Sequence, residues 1–291
     1  MLKQGDKIAL VVNSNGISLD KENELQTLLK ELTEMGLTPV CSQFLYQKKG
    51  IASGSPKERG MEMNAFFADR SVQVIFDISG GDIANQVLPY LDYELIKKHP
   101  KPFFGYSDVT TILNGIYQQT GVLTYLFQLR TILWDQTGRQ KKRFVESFLK
   151  DEESLFDCQW QFIQGETISG ELIGGNIRCF LKLAGTPYFP DCRNKVLLLE
   201  SNGGGIPQLT TYLTQLKQIG VFNQISGILL GVFTELEASE DRLSVGELVR
   251  EMIDNPDLSV AKTSEIGHGS QSCCAVIGQQ VSIKKNEKTI D

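Results

Sequence analysis

Histidine is nearly missing from this chain: only His99 and His268 occur in 291 residues. Chemistry that needs an imidazole base must therefore use one of these two. Six cysteines stand at positions 41, 158, 179, 192, 273 and 274, with no C-x-x-C spacing. So few histidines and such spacing give no support to a zinc site, and no metal or other cofactor is expected. The cysteines read as buried reduced thiols, with a redox-active Cys273-Cys274 pair as the alternative. No uninterrupted apolar run approaches the ~18 residues that would span a membrane. The first apolar run, Ile8 to Val12, is too short for a signal peptide and reads as a strand, so a cytoplasmic protein is expected. Basic clusters are scarce too. The net charge is −6, and Lys141-Lys142-Arg143 reads as a solvated helix face. Nucleic acid and anionic membranes are thus not expected as partners. Neither G-x-G-x-x-G nor the Walker pattern occurs, which removes the usual phosphate cradles.

What remains is the composition of a globular protein, with 41% hydrophobic and 22% charged residues. The length suits two domains with a core each. Apolar runs at Lys7–Asn13, Thr38–Ser42, Val72–Ile78, Pro102–Tyr106 and Val122–Leu126 read as strands. Between them lie helical patterns. Asp20 to Met35 carries leucines at 25, 28, 29 and 32, one face of a helix that Gly36 closes. Lys57 to Asp69 and Ile83 to Tyr90 follow. Such alternation predicts a parallel, doubly wound sheet. Arg130 to Gly165 loses the rhythm and contains a helix-like stretch, Arg139 to Asp151. A second α/β unit begins near Thr167, with its first strand broken at Gly170. Gly174-Gly175-Asn176 opens a helix to Ala184. Lys195–Leu199 and Ser226–Leu230 read as strands, Gln208–Ile219 and Ser244–Ile253 as helices, and Ala275–Ile283 as short terminal strands. The expected organisation is a domain over 1–130, a linker over 131–165 and a second domain over 166–291.

In doubly wound sheets, ligands bind beyond the carboxyl ends of the strands. Two loops fall there: Ser79-Gly80-Gly81-Asp82 and Tyr106-Ser107-Asp108. Ser107 sits where a short strand turns into a helix. A serine there exposes its hydroxyl beside unpaired N–H groups, the logic of the G-x-S-x-G elbow. Gly105 and Ser107 fit that pattern, but Val109 replaces the second glycine. The plain alternative is a helix-capping serine. A nucleophilic serine needs a base and a group that orients it. His99 lies in the polar turn Lys97-Lys98-His99-Pro100-Lys101 and reads as an exposed loop residue. His268 lies between glycines in Gly267-His268-Gly269, where the backbone can bend closely around an imidazole. Glu200 follows the apolar run Val196–Leu199, and a charge at such a strand end demands a partner. Glu171, Glu235 and Asp77 are weaker candidates for the acid. Gly80-Gly81 leaves backbone N–H groups unobstructed, one half of an oxyanion hole, with the Asp108 N–H as the other.

In their order and spacing, Ser79-Gly80-Gly81-Asp82, Leu88-Pro89-Tyr90-Leu91-Asp92, Gly105-Tyr106-Ser107-Asp108, Gly174-Gly175-Asn176, Leu198-Leu199-Glu200 and Gly267-His268-Gly269 resemble the LD-carboxypeptidase family of serine peptidases. That family includes the microcin C immunity hydrolases. The resemblance implies a flavodoxin-like first domain, a smaller second α/β domain and a homodimer with its site in the interdomain cleft. It implies Ser107 as nucleophile, His268 as base, Glu200 as its orienter, and the N–H groups of Gly81 and Asp108 as the oxyanion hole. Gly80 and Asp82 are then expected to contact substrate. The implied substrate is a murein peptide losing a terminal D-amino acid, or an aminoacyl-nucleotide amide in the immunity branch. Recycling enzymes often carry arginine before the glycine pair and tyrosine after it. Ser79 and Asp82 stand there in this chain, closer to the immunity branch.

Overall fold

The computed structural model describes residues 2–239 and 243–285. Its frame is two six-stranded sheets. The first takes β1 (Lys7–Val11), β2 (Thr38–Cys41), β3 (Val72–Asp77), β4 (Phe103–Gly105) and β5 (Thr124–Leu126), all parallel, in the order 2-1-3-4-5. That is the flavodoxin-like order, whose ligand crevice opens between β1 and β3. The second takes β6 (Gln161–Gln164), β7 (Thr167–Asn176), β8 (Val196–Ser201), β9 (Gly227–Phe233), β10 (Ser259–Lys262) and β12 (Gln280–Lys284), with β11 (Ala275–Ile277) between β10 and β12 in the chain. Strands β7 to β10 are parallel, while β6 and β12 pair antiparallel at the two edges.

The continuous apolar strands follow from burial on both faces. Val196 to Leu199 are fully buried, as are Ile75 and Phe76. The helix Glu22–Glu34 turns Leu25, Leu28 and Leu32 inward, as the leucine spacing predicts. Ser55 and Glu58 form a capping box that starts the helix Pro56–Ala68. No helix among the described residues is long and apolar enough to cross a membrane.

Three local expectations change. Gly170 does not break the strand, and Gly174-Gly175-Asn176 does not open a long helix. All of them lie within the ten-residue strand β7, and Asn176 then caps a helix of only Ile177–Leu181 by accepting from the Cys179 N–H at 3.3 Å. The stretch 131–165, expected as a linker, is structured. Its helix Arg139–Leu149 buries Phe144 and Phe148 in the core of the first sheet, and β6 is an edge of the second. Finally, β11 leaves the second half and pairs antiparallel with β5 of the first sheet.

The helix Thr110–Thr120 is sandwiched between the halves and buried from Thr110 to Ile116. Its Asn114 amide donates to Gly174 O at 2.8 Å and accepts from the Gly174 N–H at 2.9 Å. One apolar core accordingly runs from Ile112 and Leu113 to Leu172 and Leu198 of the second sheet. A short helical turn, Ser107–Val109, leads directly into this helix, so the packing between halves also sets the position of the serine turn.

Candidate active site

Ser107 occupies a strained turn. Gly105 ends β4, Tyr106 is extended (φ −149°), and Ser107 swings to φ +53° before a short helical turn over Ser107–Val109. A side-chain-bearing residue in that region costs on the order of 1–2 kcal/mol, and such strain concentrates at functional sites. A Cβ on Gly105 would lie 2.3 Å from Val109 Cγ1, so the valine that replaces the second elbow glycine makes the first one obligatory. The Ser107 side chain is half-buried and bonds to no other described residue.

Glu200 lies near the carboxyl end of β8 and is wholly buried. Its Oε2 is 2.7 Å from His268 Nδ1, and its Oε1 has no partner among the described residues. A carboxylate on Nδ1 holds the ring in the tautomer whose Nε2 is free to accept a proton. The imidazole packs on the ring of Tyr106, with centroids 4.7 Å apart, directly beside the serine turn. Tyr106 Oη is 3.4 Å from Nδ1 and 3.5 Å from Glu200 Oε2. Burial, and next the Glu200 charge, raise this phenol well above its usual range, so it stays a neutral donor.

The glycine loop approaches from β3. A Cβ on Gly80 would sit 3.8 Å from Ser107 Cβ. Gly81 has φ +135°, and a Cβ there would strike the Asn15 side chain at 2.2 Å. Gly80 O accepts from the Asn15 N–H at 3.2 Å. In a planar trans peptide, the Gly81 N–H then points the opposite way, away from Asn15. Asp108 turns its fully buried carboxylate inward, where it accepts from Ser14 Oγ (2.6 Å), the Ala84 N–H (2.8 Å) and Lys182 Nζ (2.5 Å). Its own N–H lies in the first helical turn, where such groups lack intrahelical acceptors. The Asp82 carboxylate is engaged internally, by Arg178 Nη1 at 2.7 Å and Asn15 Nδ2 at 3.3 Å. Arg178 is the foremost reason its carboxyl is held below the usual range.

The other candidates face elsewhere. His99 caps the helix Tyr93–Lys98. Asp77 is fully buried and receives the Asn13 and Ser79 N–H groups at 3.0 and 2.9 Å, which pins the loops after β1 and β3. Desolvation pushes its carboxyl up. Glu171 pairs with Lys195 and Tyr117, and Glu235 receives the Gly204 N–H at 2.8 Å. No group of three or more His, Cys, Asp or Glu side chains able to hold a metal occurs among the described residues. All six cysteines are free, and Cys273 and Cys274 are both buried.

Residue reasoning missed Tyr106, Ser14, Asn15, Arg178 and Lys182. The last two carried a readable signal: an i, i+4 cationic pair on a turn whose other members, Ile177, Cys179, Phe180 and Leu181, are apolar.

Models of known families match on both sides of the site. The LD-carboxypeptidase N-terminal domain matches residues 8–126, and the LD-carboxypeptidase C-terminal domain matches residues 169–283. The probable murein peptide carboxypeptidase of Bacillus subtilis is 29% identical over 99% of this chain and 92% of its own. The microcin C7 self-immunity protein MccF of Escherichia coli is 24% identical over 99% of this chain and 93% of its own. A solved structure of MccF in complex with glutamyl sulfamoyl guanosine shares the fold, with a TM-score of 0.87 over 97% of this chain and 94% of that one, at 23% identity. With both halves matched in order, the chain belongs to the LD-carboxypeptidase family of serine peptidases.

Proposed function

We propose that Ser107, His268 and Glu200 act as a catalytic triad that cleaves the amide between an L-configured acyl residue and a terminal D-amino acid of a murein peptide. The contact that carries the reading is the buried Glu200 carboxylate at 2.7 Å from His268 Nδ1. A fully buried acid with one oxygen unpartnered is costly. Orienting and charge-balancing an imidazole that becomes cationic during turnover accounts for it.

Ser107 Oγ attacks the carbonyl carbon while His268 Nε2 takes its proton. Charge develops on the carbonyl oxygen, and the N–H groups of Gly81 and Asp108 receive it. The imidazolium, balanced by Glu200, gives its proton to the leaving amine as the C–N bond breaks. Water, deprotonated by the same imidazole, releases the acyl group from Ser107. Gly80 lines the approach without obstructing it. Asp82 serves the loop through Arg178 and Asn15. A cytoplasmic homodimer is part of the reading, which sedimentation velocity and cell fractionation check.

A second substrate class, an aminoacyl-nucleotide amide, is favoured by Ser79 and Asp82 flanking the glycine pair. One assay tests both. Wild type and Ser107→Ala are compared on a murein tetrapeptide and on an aminoacyl sulfamoyl adenosine, with a fluorophosphonate probe as the label. Hydrolysis of the tetrapeptide and labelling, both lost by about 10³-fold or more in Ser107→Ala, support the triad and the main substrate. Turnover of the adenosine conjugate alone transfers the reading to the second class. No labelling and no turnover leave a ligand-binding module.

A further inference from the structure

The two backbone donors assigned to the oxyanion belong to the first half of the chain. Both residues that carry them are contacted from the second half by one short turn. Lys182 Nζ reaches the fully buried Asp108 carboxylate at 2.5 Å and also donates to Asp82 O at 2.9 Å. Four residues earlier, Arg178 Nη2 donates to Gly81 O at 2.8 Å and Nη1 to Asp82 Oδ1 at 2.7 Å. Two of these four contacts end on backbone carbonyls of the glycine loop. We infer that Arg178 and Lys182 are positioning residues that align the Gly81 and Asp108 N–H groups for the transition state. This rests on the triad reading.

A purely structural role does not explain the Arg178 contacts. The Arg178 and Asp82 side chains are 42% and 54% exposed, and pairs of that kind add little to stability. What they fix is orientation. The peptide between Gly81 and Asp82 is gripped on both edges: its carbonyl by Arg178, its N–H by Asn15 Oδ1 at 3.0 Å. Two successive glycines would otherwise sample many conformations, and stabilisation of developing charge depends on donors already in place. Lys182 does the corresponding work on the serine turn, because it balances the charge of the side chain whose backbone N–H is the second donor. The cationic turn follows Asn176 directly, and Asn176 lies opposite Glu200 in the β7–β8 register. The acid that orients the base and the cations that orient the donors thus share one rigid support.

The test uses Lys182→Met, Arg178→Gln and the conservative Lys182→Arg in the full chain. kcat and KM are measured separately, together with the affinity for phenylboronic acid, which forms a tetrahedral adduct with a serine hydroxyl. Melting temperature reports folding. Lys182→Met is expected to lose about 10² in kcat, with boronate affinity falling in parallel and KM little changed. Arg178→Gln should lose less in the same pattern, and Lys182→Arg should recover most of the loss. If Lys182→Met does not fold, the exposed Arg178 carries the test alone. Unchanged kcat in the folded variants overturns the inference, as does a kcat loss that leaves boronate affinity intact. Those results stand apart from failure of the triad itself, which would appear as wild-type turnover that does not depend on Ser107.

Discussion

Glu200→Gln separates a catalytic carboxylate from a structural one, because the two roles predict opposite signs. The substitution keeps shape and volume and removes only the charge. Glu200 is 0% exposed and faces an imidazole whose side chain is 15% exposed. Two unit charges about 4 Å apart at an effective dielectric of 20 attract by about 4 kcal/mol. In the proposed mechanism that attraction stabilises the imidazolium formed when His268 takes the Ser107 proton, and its loss corresponds to about 10³-fold in kcat. A glutamine can also turn its NH₂ toward Nδ1 and select the tautomer that leaves Nε2 protonated, which deepens the defect. Stability should move the other way or stay level. The native Oε1 is buried without a partner, so removing the charge relieves desolvation. Steady-state hydrolysis and thermal melting on the same preparation give the answer. A variant that keeps kcat within about tenfold of wild type, or that melts lower with activity intact, refutes the argument.

Two further substitutions probe the frame around the serine. Gly105→Ala places a methyl group against Val109 Cγ1 and Cβ, at 2.3 and 2.9 Å. It should cost about 1–3 kcal/mol in urea unfolding and depress kcat, and adding Val109→Gly should restore part of both; a single variant indistinguishable from wild type would show the approach to be looser than described. Arg59, 1% exposed, donates to Asn13 O, to Ser14 O at 3.3 Å and to Gln86 Oε1 at 3.1 Å. Arg59→Met leaves buried carbonyls without donors and should lower stability by about 1–3 kcal/mol at unchanged m-value, and an unaltered urea midpoint would count against it.

The alternating strands and helices of the first 126 residues were legible because their apolar periods are local. Leu25, Leu28 and Leu32 fall on one face whatever the rest of the chain does. The pairing of β11 was not legible. Ala275–Ile277 reads as a strand, but nothing in three apolar residues says that their partner is Thr124–Leu126. Gly174-Gly175 misled for a different reason: a glycine pair normally interrupts a strand, and here the ladder to Leu198 and Leu199 continues through it. The same holds at the site. Glu200 and His268 stood out by strand end and flanking glycines, and the structure brings them into contact. Arg178 and Lys182 showed only as a cationic i, i+4 pair on an apolar turn, and neither that spacing nor the place of Tyr106 names the far-off residues they contact.

The loop that carries His268 leaves β10 in one sheet and arrives at β11 in the other, so this imidazole is suspended like a bridge deck with a pier in each half. It cannot ride with either body alone. Shear between the sheets would drag the imidazole, and rigidity in one half becomes alignment in the other. It also follows that cutting the chain between the two halves yields no self-sufficient pieces: the front fragment would lack its β11 edge, and the rear would carry β11 without the β5 it pairs with.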